Sequence, residues 1–266
     1  MGAVLGRLAS AGFLPMIGAY LVGPLLAHNL TEAQFMLLIG LNLMARLVRF
    51  FLMTGIRNPV SFDHYRENPW THVRNAVSVI RSSPNLFRIF VNATLVFIPT
   101  YVFRQWDQPY MTGAGLPVAY MGVLYAAGAV LAWFLSRRIG AITTTAPRLK
   151  VVLWSGMAVL LSMVVAALFQ NSLLVAGFAF FLVRAGVTVR NPILGEMQNE
   201  QIPSGSRATA LSILALMDST FDVVVVPLMA TLAGFGLPVI FAACALVVTL
   251  GLLVPIREAP PVAEAG

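Results

Sequence analysis

Apolar residues are gathered along this chain into blocks, with polar segments between them. A helix of about 20 apolar residues crosses the roughly 30 Å hydrocarbon core of a bilayer. Eight blocks have about this length and predict eight spans, at residues 9–27, 34–54, 86–105, 117–136, 150–169, 172–191, 208–233 and 238–254. Only 10% of the 266 residues are charged, whereas soluble domains carry about 25%. So few charges cannot solvate a globule of this size, and we predict an all-α, polytopic helical membrane protein.

Lysine and arginine occur in every second polar segment. The segments that lack them are 28–32, 105–116, 170–172 and 234–236. The other segments and the two ends hold Arg7, Arg57, Arg66, Arg74, Arg81, Arg137, Arg138, Arg148, Lys150, Arg207 and Arg257. Basic residues favour the cytoplasmic side, so both termini are predicted to be cytoplasmic in a protein integral to the cytoplasmic (plasma) membrane. The net charge of +7 predicts no nucleic-acid partner, because these residues do not form one patch.

The longest polar segment, residues 55–85, is predicted to be a cytoplasmic linker with a short amphipathic helix. Asn68 can cap this helix, and Pro69 suits its first position. Its apolar residues at helical spacing are Trp70, Val73, Val77 and Ile80. The helix either lies on the membrane surface or is a plain connector. Ser83 and Pro84 then supply a cap and first turn for the third span.

The run 191–212 reads Asn-Pro-Ile-Leu, then Asn-Glu-Gln-Ile-Pro-Ser, then Arg-Ala-Thr-Ala-Leu-Ser. It resembles the cytoplasmic loop between the tenth and eleventh spans of the major facilitator superfamily (MFS) of secondary transporters. Asn199, Pro203 and Arg207 stand at the positions that recur in that loop. Residues 108–122 are similar to the family's hairpin between spans seven and eight, and residues 15–26 are similar to its fifth span.

This resemblance implies an MFS-like bundle in which the chain corresponds to the last eight of twelve spans. Residues 1–54 would be the last two helices of the first half, 55–85 the linker, 86–256 a six-helix second half and 257–266 a disordered tail. The implied function is secondary active transport of a small solute by alternating access, with protons as one option for coupling. The alternative is a truncated, non-transporting membrane protein or an interaction module, which would form a homo-oligomer or need a missing N-terminal half.

Three charges fall deep inside predicted spans. Asp218 lies 11 residues after Arg207, about 16 Å into its span, and Asp222 follows one helical turn later. Arg184 lies 11 residues after Leu173, which is also about 16 Å deep. Each charge costs roughly 2.5–3.5 kcal/mol at a helix centre, so all three are expected to face the bundle interior.

Two interpretations of these charges stay open. In the first, Asp218, Asp222 and Arg184 form a coupling or substrate pathway, in which protonation of an aspartate shifts the balance between inward and outward states. In the second, Arg184 and Asp218 form a static ion pair between consecutive spans, or Asp222 reaches the outer headgroups. Two charged carboxylates one turn apart also repel each other.

Other polar residues are predicted to lie at the ends of spans. Arg104, Asp107 and Gln108 stand at the outer end of the third span, either in an interfacial belt with Tyr101, Trp106 and Tyr110 or at a substrate mouth. Arg190, Glu196 and Glu200 flank the family-like loop and are candidates for a cytoplasmic ion-pair latch. Pro99, Pro192 and Pro227 lie in or near spans and are expected to bend them. Gly12, Gly18 and Gly23 are expected to allow close helix packing.

The sequence lacks the motifs of several enzyme classes. It has no Gly-x-x-x-x-Gly-Lys phosphate loop, no His-Glu-x-x-His and no Gly-x-Ser-x-Gly. His28, His64 and His72 show no metal-ligand spacing. We therefore predict no enzymatic activity, no cofactor and no metal site, and we name the lipid bilayer, a small solute and protons as partners.

Overall fold

The computed structural model describes residues 2–26, 31–55 and 69–258 of the chain, and these residues form helices and connecting turns with no β-strand. The described α-helices are α1 (Gly2–Leu26), α2 (Glu32–Thr54), α3 (Pro69–Ser82), α4 (Pro84–Gly113), α5 (Met121–Thr145), α6 (Arg148–Leu168), α7 (Leu173–Glu200), α8 (Arg207–Leu232) and α9 (Leu237–Leu253). Single 3₁₀ turns at Val118–Tyr120, Ser204–Ser206 and Ala233–Phe235 lie next to α5, α8 and α9. The predicted all-α class is confirmed.

Six of these helices are long and apolar enough to cross a membrane: α2, α4, α5 with its leading 3₁₀ turn, α6, α7, and α8 with its flanking turns. The other two predicted spans coincide with α1, whose apolar part covers Ser10–Gly23, and with the 17-residue α9. Large apolar side chains remain exposed on the outside of the bundle, for example Leu174 at 87% and Trp154 at 72%. Apolar surface on this scale is typical of a protein that sits in lipid rather than water.

Several helices run further than the apolar blocks. α4 ends at Gly113, α5 at Thr145 and α7 at Glu200, whereas the predicted spans end at residues 105, 136 and 191. The first part of the predicted loop 191–212 is therefore helical, and only residues 201–206 connect α7 to α8. Polarity decides where a helix leaves lipid, but the backbone hydrogen bonds continue until a stop signal interrupts them.

The core of the bundle lies between α4, α6, α7 and α9. Its largest cluster packs aromatic rings against small residues, with Phe103, Tyr110 and Phe241 in mutual ring contact. Gly186 allows α7 to approach α6 closely, because a Cβ there would lie 2.7 Å from the carbonyl oxygen of Ser155. The prediction that Gly12, Gly18 and Gly23 do the same for the first span is wrong, since a Cβ at any of them meets no atom within 4 Å.

The two N-terminal helices differ in how they meet the rest of the bundle. α1 packs along α5 and also contacts α7. α2 begins with a capping box, in which Thr31 Oγ1 accepts from the Gln34 backbone nitrogen and Gln34 Oε1 accepts from that of Thr31. None of the residues of α2 is buried. α1 is therefore part of the packed bundle, whereas no face of α2 is buried against the described residues.

The predicted linker helix is present as α3, and Ser83 caps α4 as predicted, its hydroxyl accepting from the backbone nitrogen of Leu86. Asn68, the predicted cap of α3, lies outside the described residues. The apolar face of α3 packs against α8, and Ala76 and Ile80 are buried there. α3 is therefore a packed connector, and only Trp70, 76% exposed, remains of the predicted membrane-facing side.

Candidate functional site

Two cavities lie along α4 and α7. The first, of about 230 Å³, is enclosed by α1, α4, α5 and α7, and we call it the basic cavity because Arg104 and Arg184 line it. Its other walls include Phe13, Phe97, Thr100, Tyr101, Ser136, Thr188 and Asn191. The Arg184 guanidinium lies 5.4 Å from the centroid of the Phe180 ring, a cation–π contact that partly compensates its removal from water. The structure thus places one predicted pathway residue and one predicted mouth residue in the same cavity.

Asp107 supplies negative charge behind the basic cavity. Its side chain is buried, and its Oδ1 accepts a hydrogen bond of 2.7 Å from the Tyr125 hydroxyl. Arg184 and Arg104 are the cations that interact electrostatically with it. This hydrogen bond joins α4 to α5 near the basic cavity, with Arg184 of α7 close enough to interact electrostatically.

The second cavity, of about 270 Å³, lies between α4, α7 and α8, and we call it the acidic cavity because Asp218 lines it. Thr94, Asn191, Gln198 and Ala215 are among its other lining residues. The Thr94 hydroxyl donates a hydrogen bond to Asp218 Oδ1. This contact connects α8 to α4, and sequence reasoning missed it because the two residues are 124 positions apart.

Asp222 lies one turn beyond Asp218 on α8 and is half-buried. Its Oδ1 is shielded from solvent and has no hydrogen-bond partner among the described residues. The two carboxyl groups interact electrostatically, and like charges this close oppose simultaneous ionisation.

The cavities adjoin each other. Phe97 of α4 and Asn191 of α7 line both of them. The residues of α4 that face the two cavities run from Phe90 to Arg104, a rise of about 21 Å. Together the cavities extend along this length of α4, and Phe97 and Asn191 lie where they adjoin.

The predicted pair of Arg184 with Asp218 is not formed: the structure records no ion pair between these two described residues. Arg184 shares its cavity with α4 residues that come 3 to 10 positions after Thr94, the partner of Asp218. The α4 wall of that cavity is thus displaced from Thr94 by about 5–15 Å along the helix. The prediction that Arg184 and Asp218 lie at equal depth is wrong. Each depth was counted from the edge of an apolar block, whereas helix α7 extends well past its block.

The predicted aromatic belt at the end of α4 is also mostly wrong. Tyr110 is buried and donates a 3.0 Å hydrogen bond to the carbonyl of Phe169, and Trp106 packs against the core. Tyr101 lines the basic cavity. Gln108, grouped with Arg104 and Asp107 as a mouth residue, is exposed and does not line that cavity.

The middle of the family-like run, residues 201–206, forms a tight turn between α7 and α8. Asn199 lies in the last turn of α7, and its carbonyl accepts from the backbone of Ile202. Pro203 opens the 3₁₀ turn, and Arg207 Nη2 donates back to the Ile202 carbonyl at 3.2 Å. The three predicted motif residues are therefore brought together, with a visible role in shaping the turn.

The ion pair predicted between Arg190 and the glutamates of α7 is not the one that the structure shows. Arg148 pairs with Glu200 at 2.7 Å and with Glu258 at 3.8 Å, which ties α6, α7 and the segment after α9 together. Arg190 is buried instead, and its guanidinium donates to Asn92 Oδ1 and to the Val152 carbonyl. Asn92 in turn donates to the Gly251 carbonyl at 2.7 Å, so α4, α6, α7 and α9 meet at one polar node.

No protein-family model, curated protein or solved structure matches this chain.

Proposed function

We propose that this chain is a secondary active transporter that moves a small solute across a cytoplasmic membrane by alternating access. The single observation that carries the proposal is the pair of adjoining cavities along α4 and α7, with charged side chains inside apolar helices. Such residues are costly in lipid and are characteristic of substrate and ion pathways. The residues that resemble the MFS agree with this function.

The predicted orientation of the helices assigns each cavity to one side of the membrane. It places the Pro84 end of α4 and the Glu200 end of α7 in the cytoplasm. The acidic cavity would then face the cytoplasm and the basic cavity the outside. Phe97 and Asn191, which line both, would form the barrier between them. Opening on one side and closing on the other is the motion that alternating access requires.

Asp218 is the proposed proton carrier. Its side chain lines a cavity, bonds to Thr94 on another helix and lies one turn from Asp222. Protonation would remove its charge, weaken the electrostatic repulsion on α8 and change the bond that holds α8 to α4. Proton binding can therefore alter the relative position of two cavity-lining helices.

Cysteine labelling in oriented membrane vesicles tests the pathway. Cys244 is the sole cysteine of the chain and is buried, so Cys244→Ala supplies a cysteine-free background. A membrane-impermeant maleimide is expected to label Ala215→Cys from the cytoplasmic side and Thr188→Cys from the outer side. Alternating access predicts that conditions which raise one labelling rate lower the other.

Leu216→Cys is the matched control, because Leu216 is adjacent to Ala215 but 68% exposed on a face that does not line the cavity. We expect no labelling there, since maleimides react with thiolates in water. Equal labelling at residues 215 and 216 would remove the proposed pathway. Labelling of both cavities from both sides at once would indicate a pore rather than a transporter.

One observation favours the second candidate, a membrane interaction module. α2 buries none of its residues, so helices from a second copy could cover it. Gly40, where a Cβ meets no atom within 4 Å, is a suitable site for Gly40→Cys and disulfide trapping between copies. Trapping at this site combined with absent labelling of both cavities would favour this function over transport.

A further inference from the structure

We propose that the basic cavity is a binding site for a small amphipathic organic monoanion, such as an aryl or alkyl monocarboxylate. Resting on the proposed function, this makes that anion the transported solute. Three features of the cavity favour such a ligand: its charge balance, a buried hydroxyl without a partner among the described residues, and its aromatic walls.

The charge balance of the basic cavity is positive. Arg104 and Arg184 both line it, and Asp107 is the carboxylate that interacts with them. Asp107 already accepts from Tyr125, and Asp218 interacts with Asp222 instead of an arginine. One positive charge is therefore left over, with Arg184 half-buried and Arg104 exposed. A bound monoanion would pair with this charge and accept charge-assisted hydrogen bonds from a guanidinium.

Ser136 supplies a hydrogen-bond donor. It lies on α5, is 2% exposed and lines the cavity, and its hydroxyl has no hydrogen-bond partner among the described residues. A buried hydroxyl left unpaired is unfavourable, so a ligand that accepts its hydrogen bond gains affinity. A carboxylate can accept from this hydroxyl and from the planar guanidinium of Arg184.

The remaining walls favour an apolar body on the ligand. Phe13, Phe97 and Tyr101 line the cavity on the α1 and α4 sides. The volume of about 230 Å³ is below the roughly 300–1,000 Å³ of pockets for drug-sized ligands. A short alkyl chain or a single ring with one carboxylate fits these features better than a sugar or a polyamine.

Coupling follows from the charges of the two cavities. One monoanion in the basic cavity and one proton on Asp218 carry no net charge together. Transport of this pair is then electroneutral, driven by a pH gradient and insensitive to membrane potential.

Equilibrium binding of radiolabelled benzoate to the full chain in lipid nanodiscs tests the site. Benzamide and benzylamine are the matched competitors, because they keep the ring and replace the charge with a neutral or a positive group. Benzoate is expected to compete at least about tenfold better than benzamide, the factor for losing one charge-assisted hydrogen bond. Benzylamine is expected not to compete.

Substitutions locate the binding. Arg184→Gln is expected to weaken benzoate binding at least about tenfold, and Ser136→Ala about threefold to tenfold. Arg137→Gln is the matched control: Arg137 follows Ser136 on α5 but stacks on Trp133, 4.9 Å from its ring centroid, and does not line the cavity. If Arg184→Gln does not reconstitute, Arg184→Lys keeps the charge, loses the planar fork and is expected to bind several-fold more weakly.

Benzylamine competing as well as benzoate, unchanged binding in Arg184→Gln or Arg184→Lys, or no binding of benzoate, acetate or hexanoate would each overturn the anion site. Proteoliposomes made from the same protein separate the two proposals. Binding without pH-driven uptake of benzenesulfonate, a monoanion with no membrane-permeant neutral form near neutral pH, removes the transport function and keeps the site. Uptake of a cation or neutral solute without benzoate binding removes the site and keeps transport.

Discussion

The two cavities share α4, α7 and two lining residues, yet their polar chemistry is opposite. Two arginines line the basic cavity, and Asp107, the carboxylate that interacts with them electrostatically, lies behind it and accepts from Tyr125. In the acidic cavity the carboxyl group of Asp218 bonds to an uncharged threonine and lies near a second carboxyl group. The proposed anion site and the proposed proton site thus lie at different positions along the same two helices.

Separate sites allow two ligands to act on different helices. The basic cavity is bounded by α1 and α5, and the acidic cavity by α8. The polar node of Arg190 and Asn92 joins α4 to α6, α7 and α9 by hydrogen bonds. Coupling can then arise when each ligand changes how an outer helix meets this common core.

The largest expected effect is that Asp218→Asn loses the coupling between proton movement and anion transport. The amide of asparagine does not take up a proton near neutral pH. In proteoliposomes with the wild-type chain, a gradient of one pH unit can drive up to about tenfold accumulation of benzenesulfonate, a monoanion that, unlike benzoate, has no membrane-permeant neutral form near neutral pH. In Asp218→Asn we expect no accumulation, while exchange of labelled for unlabelled benzenesulfonate continues. Benzenesulfonate uptake and internal pH are measured on the same vesicles.

Thr188→Val is the control for this substitution, because Thr188 lines the basic cavity and carries no charge. It is expected to leave the accumulation ratio unchanged even if uptake slows. Full accumulation in Asp218→Asn would show that the proton binds elsewhere. It would contradict the assignment of the proton to the acidic cavity and the anion to the basic cavity.

The positions of helices could be predicted far better than the contacts between them. Apolar blocks gave the location of each long helix, and Ser83 with Pro84 marked the start of α4, because these are local properties of the chain. The partner of Asp218 could not be predicted, since no local signal selects Thr94 among the polar residues of distant helices. The same holds for Arg190, whose position near the end of an apolar block suggested a surface latch rather than a buried node.

A second expected effect concerns the boundary between the cavities. Phe97→Ala removes the ring that both cavities share and opens a continuous wet track along α4 and α7. We expect an imposed pH gradient to decay several-fold faster in these proteoliposomes than with the wild-type chain, measured with a trapped pH dye. Phe87→Ala is the matched control, because Phe87 is on the same helix, 46% exposed and absent from both cavities.

An unchanged rate of decay in Phe97→Ala would mean that the two cavities are isolated by other residues. Asn191 would be the next position to test, because it is the other residue that lines both.

Asp107→Asn is expected to sharpen the contrast between the cavities. It removes the negative charge that partly balances Arg104 and Arg184, while the amide oxygen can still accept from the Tyr125 hydroxyl. Benzoate should bind roughly threefold to tenfold more tightly, as expected for removing one nearby like charge. Nanodisc binding measures the change, and weaker binding would indicate that Asp107 positions the arginines more than it offsets their charge.

The last expected effect comes from Thr94→Val, which removes the hydroxyl that bonds to Asp218 and keeps the shape of the side chain. A net hydrogen bond contributes about 0.5–1.5 kcal/mol, so the pH-driven uptake rate should fall by about twofold to twelvefold. Thr94→Ser keeps the donor and should recover most of the rate. Benzoate binding in nanodiscs should be unchanged in both variants, because Thr94 lines the acidic cavity and not the basic one. Equal loss of binding and uptake in Thr94→Val would instead show that the two cavities act as one site, with the anion and the proton bound to the same set of residues.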